Sequence, residues 1–195
     1  MHEPPRLAPP GAGLPPLEGL FARAGFHVLR AMLGRNRIRA WLCAETERVL
    51  ALARSLPEAQ LRQRILIPRL AGLEDSSRYW SAAMVLQHLV IVDTGIGQLV
   101  QALCDYREFG REVRIAEVKP APEAGSEQFA RLEAALATYL DIEGGIARLN
   151  RSGRHAHPWF GELDGHGWHT LAALHTLIHR RQLESIVQRL PAAVS

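Results

Sequence analysis

Four long stretches of this chain carry apolar residues three and four positions apart, and that spacing leaves few folds open. Apolar residues so spaced line one face of an α-helix, and each such face must be buried against another element. The stretches lie near residues 17–56, 81–105, 126–150 and 164–190. Only "EVRIAEV", residues 112–118, alternates in the way a strand does, enough for a short strand or hairpin. The spacing therefore predicts an all-α protein, a four-helix bundle with irregular connections.

Local punctuation sharpens the boundaries. Gly34 splits the first stretch into "LEGLFARAGFHVLRAML" and "RIRAWLCAETERVLALARSL", so an extra N-terminal helix precedes the bundle, and Pro57 ends the second piece. Ser81 has the character of an N-cap, with Trp80 and Val85 spaced as a hydrophobic staple. Gly95 and Gly97 inside that helix predict a bend or a close helix contact. Ser126 reads as the cap of the next helix, whose stripe is Phe129, Leu132, Leu136, Tyr139, Ile146 and Leu149. Asp164 reads as the cap of the last, with Leu163 and Trp168 as its staple. Residues 57–80 form a long connection without a steady period, a kind of segment that tends to carry structure or function.

The chain of 195 residues suits one domain. We read residues 1–16 as a flexible Pro-rich tail and 17–195 as a single helical bundle domain with its core at about 36–190. The formal net charge is only +3, and its basic residues are spread along the chain except for "GRNRIR" at 34–39, read as a solvated helix flank. A nucleic-acid surface concentrates charge on one face, so no nucleic-acid partner is expected. Cys43 and Cys104 have no metal-type spacing and read as buried free thiols of a reducing compartment. The N-terminal residues have no signal-peptide core, and no stretch is read as long enough to span a membrane, so we expect a cytoplasmic protein with no membrane partner.

The chemistry lies in "ALHTLIHRRQ", residues 173–182. His175 and His179 are four apart, so on a helix they differ by about 40° in direction and can converge on one ion. Nine histidines give roughly 0.4 such pairs by chance, so the pair alone is weak, and no glutamate follows His175 as a zinc-peptidase motif requires. Two core histidines are the plain alternative. His88, on the apolar face of Val85, Leu89 and Val92, supplies a third candidate from a neighbouring helix, as helix bundles do. Three neutral imidazoles leave positions open for substrate, as catalytic metal sites do. Gln182 shares the His175 face and could orient a ligand from behind. Asp93 falls on a different face from His88 and is expected to be solvated or paired. His155, His157, His166 and His169 read as surface histidines that could line a pocket mouth. Trp159 and Phe160 read as the cover of the bundle's end, or as a pocket wall.

Two segments, "RYWSAAMVLQHLVIVD" and "HPWFGELDGHGWHTLAALHTLIHRRQ", resemble the DinB-like superfamily of bacterial metal-binding four-helix bundles. The resemblance covers roughly residues 36–190 and is faint in the first and third helices. It implies metal ligation by His88, His175 and His179, a homodimer, and membership of a group that includes thiol-dependent S-transferases and isomerases. The function expected is that of a divalent-metal-dependent enzyme activating a thiol or water toward a small-molecule substrate, either a thiol S-transferase or a hydrolase. Imidazole suits zinc, nickel and iron alike, and a low-molecular-weight thiol would be the second cofactor. Substrate would enter at a bundle end made by residues 57–80 and 151–163. The alternative is a non-catalytic bundle binding a metal or small molecule as sensor or carrier.

Overall fold

The computed structural model describes residues 5–110 and 112–191. Helix α1 (Pro16–Met32) is followed across Gly34 by α2 (Arg35–Arg54). A short α3 (Glu58–Arg62) and strand β1 (Ile65–Leu66) lead through a 3-10 turn at Asp75–Ser77 to β2 (Tyr79–Trp80). Then come α4 (Ala82–Cys104), a 3-10 turn at Ile115–Val118, and α5 (Gln128–Gly145). A hairpin of β3 (His155–His157) and β4 (Gly161–Leu163) precedes α6 (Gly165–Val187). Helices α2, α4, α5 and α6 form the bundle, with α4 packed on both α5 and α6, α2 on α6, and α1 laid against α6.

The starts of α4 and α6 follow from their caps. The Ser81 hydroxyl accepts from the Met84 N–H, and the Asp164 carboxylate accepts from the Gly167 N–H. Each cap satisfies a backbone donor that the first helical turn cannot. Trp80 and Val85 are buried in one core cluster, and Leu163 and Trp168 in another. Helix α4 runs unbroken through Gly95 and Gly97, and Gly97 serves a close contact: a Cβ there would stand 3.3 Å from the Tyr139 ring of α5.

Several expectations fail for local reasons. Ser126 does not cap α5; the helix begins two residues later after Glu127, whose carboxylate instead takes the Gly125 N–H. Gly144 and Gly145 end α5, so Ile146 and Leu149 lie beyond its stripe. Residues Ile115–Val118 wind into a 3-10 turn and make no strand, whereas β1–β2 and β3–β4 pair antiparallel within segments read as loop. The basic "GRNRIR" stretch is not simply solvated: Arg35 and Arg39 both grip the buried Glu143 carboxylate of α5. Burial opposes ionisation there, but the two guanidiniums hold the Glu143 pKa below its ordinary value. Cys43 and Cys104 are free but only half-buried. The Pro-rich segment read as flexible is tied down where it is described, its Ala8 N–H donating to Asp75 and its Gly11 and Gly13 N–H groups to Glu74. Contrary to the reading that no stretch is of spanning length, α4 is long and apolar enough to cross a membrane, with mean hydropathy 1.4. In the bundle 61% of that window is buried, because α4 packs against both α5 and α6.

The core divides in two. One cluster gathers Leu61, Ile67, Trp80, Leu86, Leu89, Leu132 and Leu183, and the other Phe26, Ile38, Leu42, Leu99, Tyr139, Phe160 and Trp168. The 57–80 and 151–163 connections, expected to share one bundle end, therefore sit against different clusters.

Candidate metal centre

His88 projects from the second turn of α4, and His175 and His179 project one turn apart from the facing side of α6. Their rings meet in the bundle, with centroids 4.4 Å apart for His175–His179 and His88–His179 and 4.9 Å for His88–His175. One nitrogen from each lies within 4.8 Å of the other two. The closest pair is His88 Nε2 and His175 Nε2 at 3.1 Å. Two imidazole nitrogens on a common ion at about 2.0–2.1 Å stand roughly 2.9–3.4 Å apart, so this spacing fits coordination.

Protons are assigned by the partners behind the rings. His88 Nδ1 is 2.7 Å from the Val118 carbonyl, which only accepts. Nδ1 therefore carries the hydrogen, and Nε2 presents its lone pair to the cluster. His179 Nδ1 lies 2.6 Å from Gln182 Oε1, while the Gln182 amide nitrogen donates to the Ser77 carbonyl at 2.7 Å. The Ser77 bond fixes which way the amide faces, so His179 also holds its hydrogen on Nδ1 and turns Nε2 inward. His175 Nδ1 has no hydrogen-bond partner among the described residues, a buried polar atom left orphaned beside the cluster. All three rings are held neutral. Burial lowers the His88 pKa to about 4, and burial with the neighbouring imidazoles lowers those of His175 and His179 well below the ordinary value. A divalent ion requires neutral imidazole, so the donor set fits one.

The surroundings came less readily from the sequence. Trp80 stacks on His179 with rings 7° from parallel and centroids 5.8 Å apart, and leans on His88. The chain's one lysine, Lys119, sits above Trp80 with Nζ 5.2 Å from the ring centroid. Its ammonium is held by the Ser76 and Ser77 hydroxyls at 2.6 and 3.0 Å and by Glu74 at 3.3 Å. Nothing in sequence marked Val118 or Ser77, because both act through backbone carbonyls. Gln182 was visible as a residue sharing the face.

The other candidates fall elsewhere. His157 and Trp159 make ring contacts with each other and with Phe160, and His157 also meets Trp168, all in the second core cluster, with His157 near enough to His175 to help lower that ring's pKa. His157 is no free surface group: burial pushes its pKa to about 4. His169 is fully buried, accepting from the Tyr139 hydroxyl at Nδ1 (2.8 Å) and donating from Nε2 to the Arg35 carbonyl (3.3 Å). Asp93 is neither solvated nor paired. It is 1% exposed, both carboxylate oxygens lack partners among the described residues, and burial raises its pKa to about 7. Its helix face meets α5 near Tyr139, in place of the solvent or charged partner expected for it. Phe160 stacks on Phe26 of α1, so the 159–160 pair covers the junction of hairpin and first helix.

No protein-family model and no curated protein matches the sequence. Among solved structures the chain is similar to TT2238, a crystal structure described as a four-helix bundle protein. The two share 24% identity over 77% of this chain and 98% of that one, with a TM-score of 0.56. That likeness carries the four-helix bundle fold.

Proposed function

We propose that this protein is a divalent-metal-dependent enzyme of the DinB-like type, holding its ion on His88, His175 and His179 and acting as a thiol S-transferase or, second, as a hydrolase. The observation that supports it most is the convergence of three neutral imidazoles within 4.8 Å, two with their rear nitrogens already committed to Val118 and Gln182. Structural zinc sites use four protein ligands, and catalytic ones use three with a position left open. The cluster found among the described residues has three members, which favours the catalytic reading over a sensor or carrier. The resemblance of "RYWSAAMVLQH" and "LHTLIH" to the DinB-like superfamily supports the same assignment.

A bound divalent ion would supply Lewis acidity, lowering the pKa of a thiol or water brought beside it. The chain's own residues prepare the site. Val118 keeps the His88 proton on Nδ1, and Ser77 through Gln182 keeps the His179 proton on Nδ1. Trp80 stacks over His179 and covers that side of the cluster.

Metal content of the full chain, expressed without a His-tag, tests the metal reading. Mass spectrometry should find about one ion per chain, lost in His175→Ala. A chain that stays empty after incubation with zinc, nickel and iron salts would overturn it. Turnover of an electrophile that needs both metal and a low-molecular-weight thiol would support transfer. A loaded protein that neither transfers thiols nor hydrolyses would leave the carrier.

A further inference from the structure

The two backbone carbonyls that orient the triad lie in segments that no α-helix holds. Val118, whose carbonyl accepts from His88 Nδ1, ends one 3-10 turn. Ser77, whose carbonyl fixes Gln182 behind His179, ends the other. One side chain joins the two turns. The Lys119 ammonium, next in the chain to Val118, donates to the Ser77 hydroxyl at 3.0 Å, the Ser76 hydroxyl at 2.6 Å and the Glu74 carboxylate at 3.3 Å. Glu74 is only 4% exposed, and a charge that deep depends on its hydrogen-bond donors.

Half of those donors come from the N-terminal segment. Glu74 Oε2 takes Lys119 and the Ser76 hydroxyl, whereas Oε1 takes the Gly11 N–H at 2.8 Å and the Gly13 N–H at 3.3 Å. The Ala8 N–H adds a bond of 2.8 Å to Asp75. Gly11 and Gly13 have φ of +88° and +79°, a region that strains any residue with a Cβ. That backbone lets two amides within three residues aim at one oxygen. Pro9, Pro10, Pro15 and Pro16 restrict the segment when it is loose, so docking costs less chain entropy.

We propose that residues 8–13 are a strap that positions the metal ligands through Glu74 and Lys119, and that releasing the strap loosens the ion. The inference rests on the metal reading of the triad. With the strap docked, Glu74 is fixed at both oxygens and holds Lys119. Lys119 in turn keeps the Val118 and Ser77 carbonyls at hydrogen-bond distance from His88 and Gln182. With the strap released, Glu74 Oε1 loses its partners among the described residues and turns to water. Lys119 follows it, and the His88 and His179 rings are freer to rotate. A contiguous set of bonds of this kind couples its two ends, and the coupling is reciprocal: what the strap does for the ion, the ion does for the strap.

Affinity of the full chain for zinc, nickel and iron, by competition with a chelator, tests the strap. Gly11→Val with Gly13→Val strains both backbone positions and leaves every site residue in place. The pair should weaken the tightest-bound ion about 5-fold or more. Lys119→Met should weaken it about 10-fold or more. Added to Lys119→Met, the glycine changes should cost little further, because both cut the same set of bonds. Hydrogen exchange supplies a readout that a merely stabilising tail would not move. The ion should slow exchange at the Gly11 and Gly13 amides by about the factor that the glycine changes cost in affinity. Glycine variants that bind as the parent does, or amides unmoved by the ion, overturn the strap and leave the metal reading standing. Losses that add in the combined variant overturn it too, since the segment then acts by another route. A parent that takes up none of the three ions overturns both.

Discussion

Gln182 makes two bonds that do different work. Its amide nitrogen binds the Ser77 carbonyl, and that bond decides that its oxygen faces His179. Gln182→Ala removes the group that keeps the His179 hydrogen on Nδ1, so metal affinity should fall about 10–100-fold with the ligands intact. A competition titration against a chelator of known affinity reads this, and an unchanged affinity would remove Gln182 from the site. Asp93 makes a different residue-scale argument. Its folded pKa of about 7 lies above the unfolded value, so the folded state binds the extra proton between roughly pH 4 and 7. Stability from this group is therefore greatest at low pH and is lost as pH rises through 7. The buried histidines, with lowered pKa values, pull the other way below pH 6.5, so the parent's own profile mixes both effects. Denaturation of Asp93→Asn against the parent isolates the carboxyl. The variant's advantage should be about 3 kcal/mol larger at pH 8 than at pH 5.

At the scale of elements, α4 shows what the sequence could and could not convey. Ser81, Trp80 and Val85 carry its start in a few adjacent letters, since a cap and a staple are local. His88 stood on a visibly apolar face. That Asp93 meets α5 was not legible, because which neighbour a helix face meets depends on the packing of the whole bundle. Ser126 failed as a cap for a similar reason: Glu127, one residue on, reaches the Gly125 N–H and shifts the start of α5. The two glycines of α4 separate cleanly by environment. Gly97→Leu would drive a side chain into the Tyr139 ring, 3.3 Å from the first added carbon, and should destabilise by about 1–3 kcal/mol. At Gly95 a Cβ meets nothing within 4 Å, so Gly95→Ala should stabilise by up to about 1 kcal/mol through helix propensity. Thermal melts of the two variants check both signs, and equal losses would mean that the α4–α5 contact is not where it is described.

At the scale of the whole molecule, the bundle was legible from four apolar periods, because burying four stripes admits few arrangements. The assembly of the triad was legible only in part. The spacing of His175 and His179 follows from one helix, but bringing His88 to 3.1 Å from His175 depends on α4 packing against α6. The site therefore exists only in the folded chain, so ion binding and folding are linked. An ion at 100 times its dissociation constant should stabilise the fold by about 2.7 kcal/mol. For a domain of this size each kcal/mol moves the melting temperature by about 2–4 °C, so saturation should raise it by roughly 5–10 °C. Scanning calorimetry with and without zinc, nickel or iron salts measures the shift, and the ion giving the largest shift at equal concentration binds the folded state tightest. His88→Ala and His175→Ala sit on different helices, yet each should abolish the shift. A shift that survives His88→Ala would mean that the α6 pair binds alone, without the helix packing that brings the three rings together.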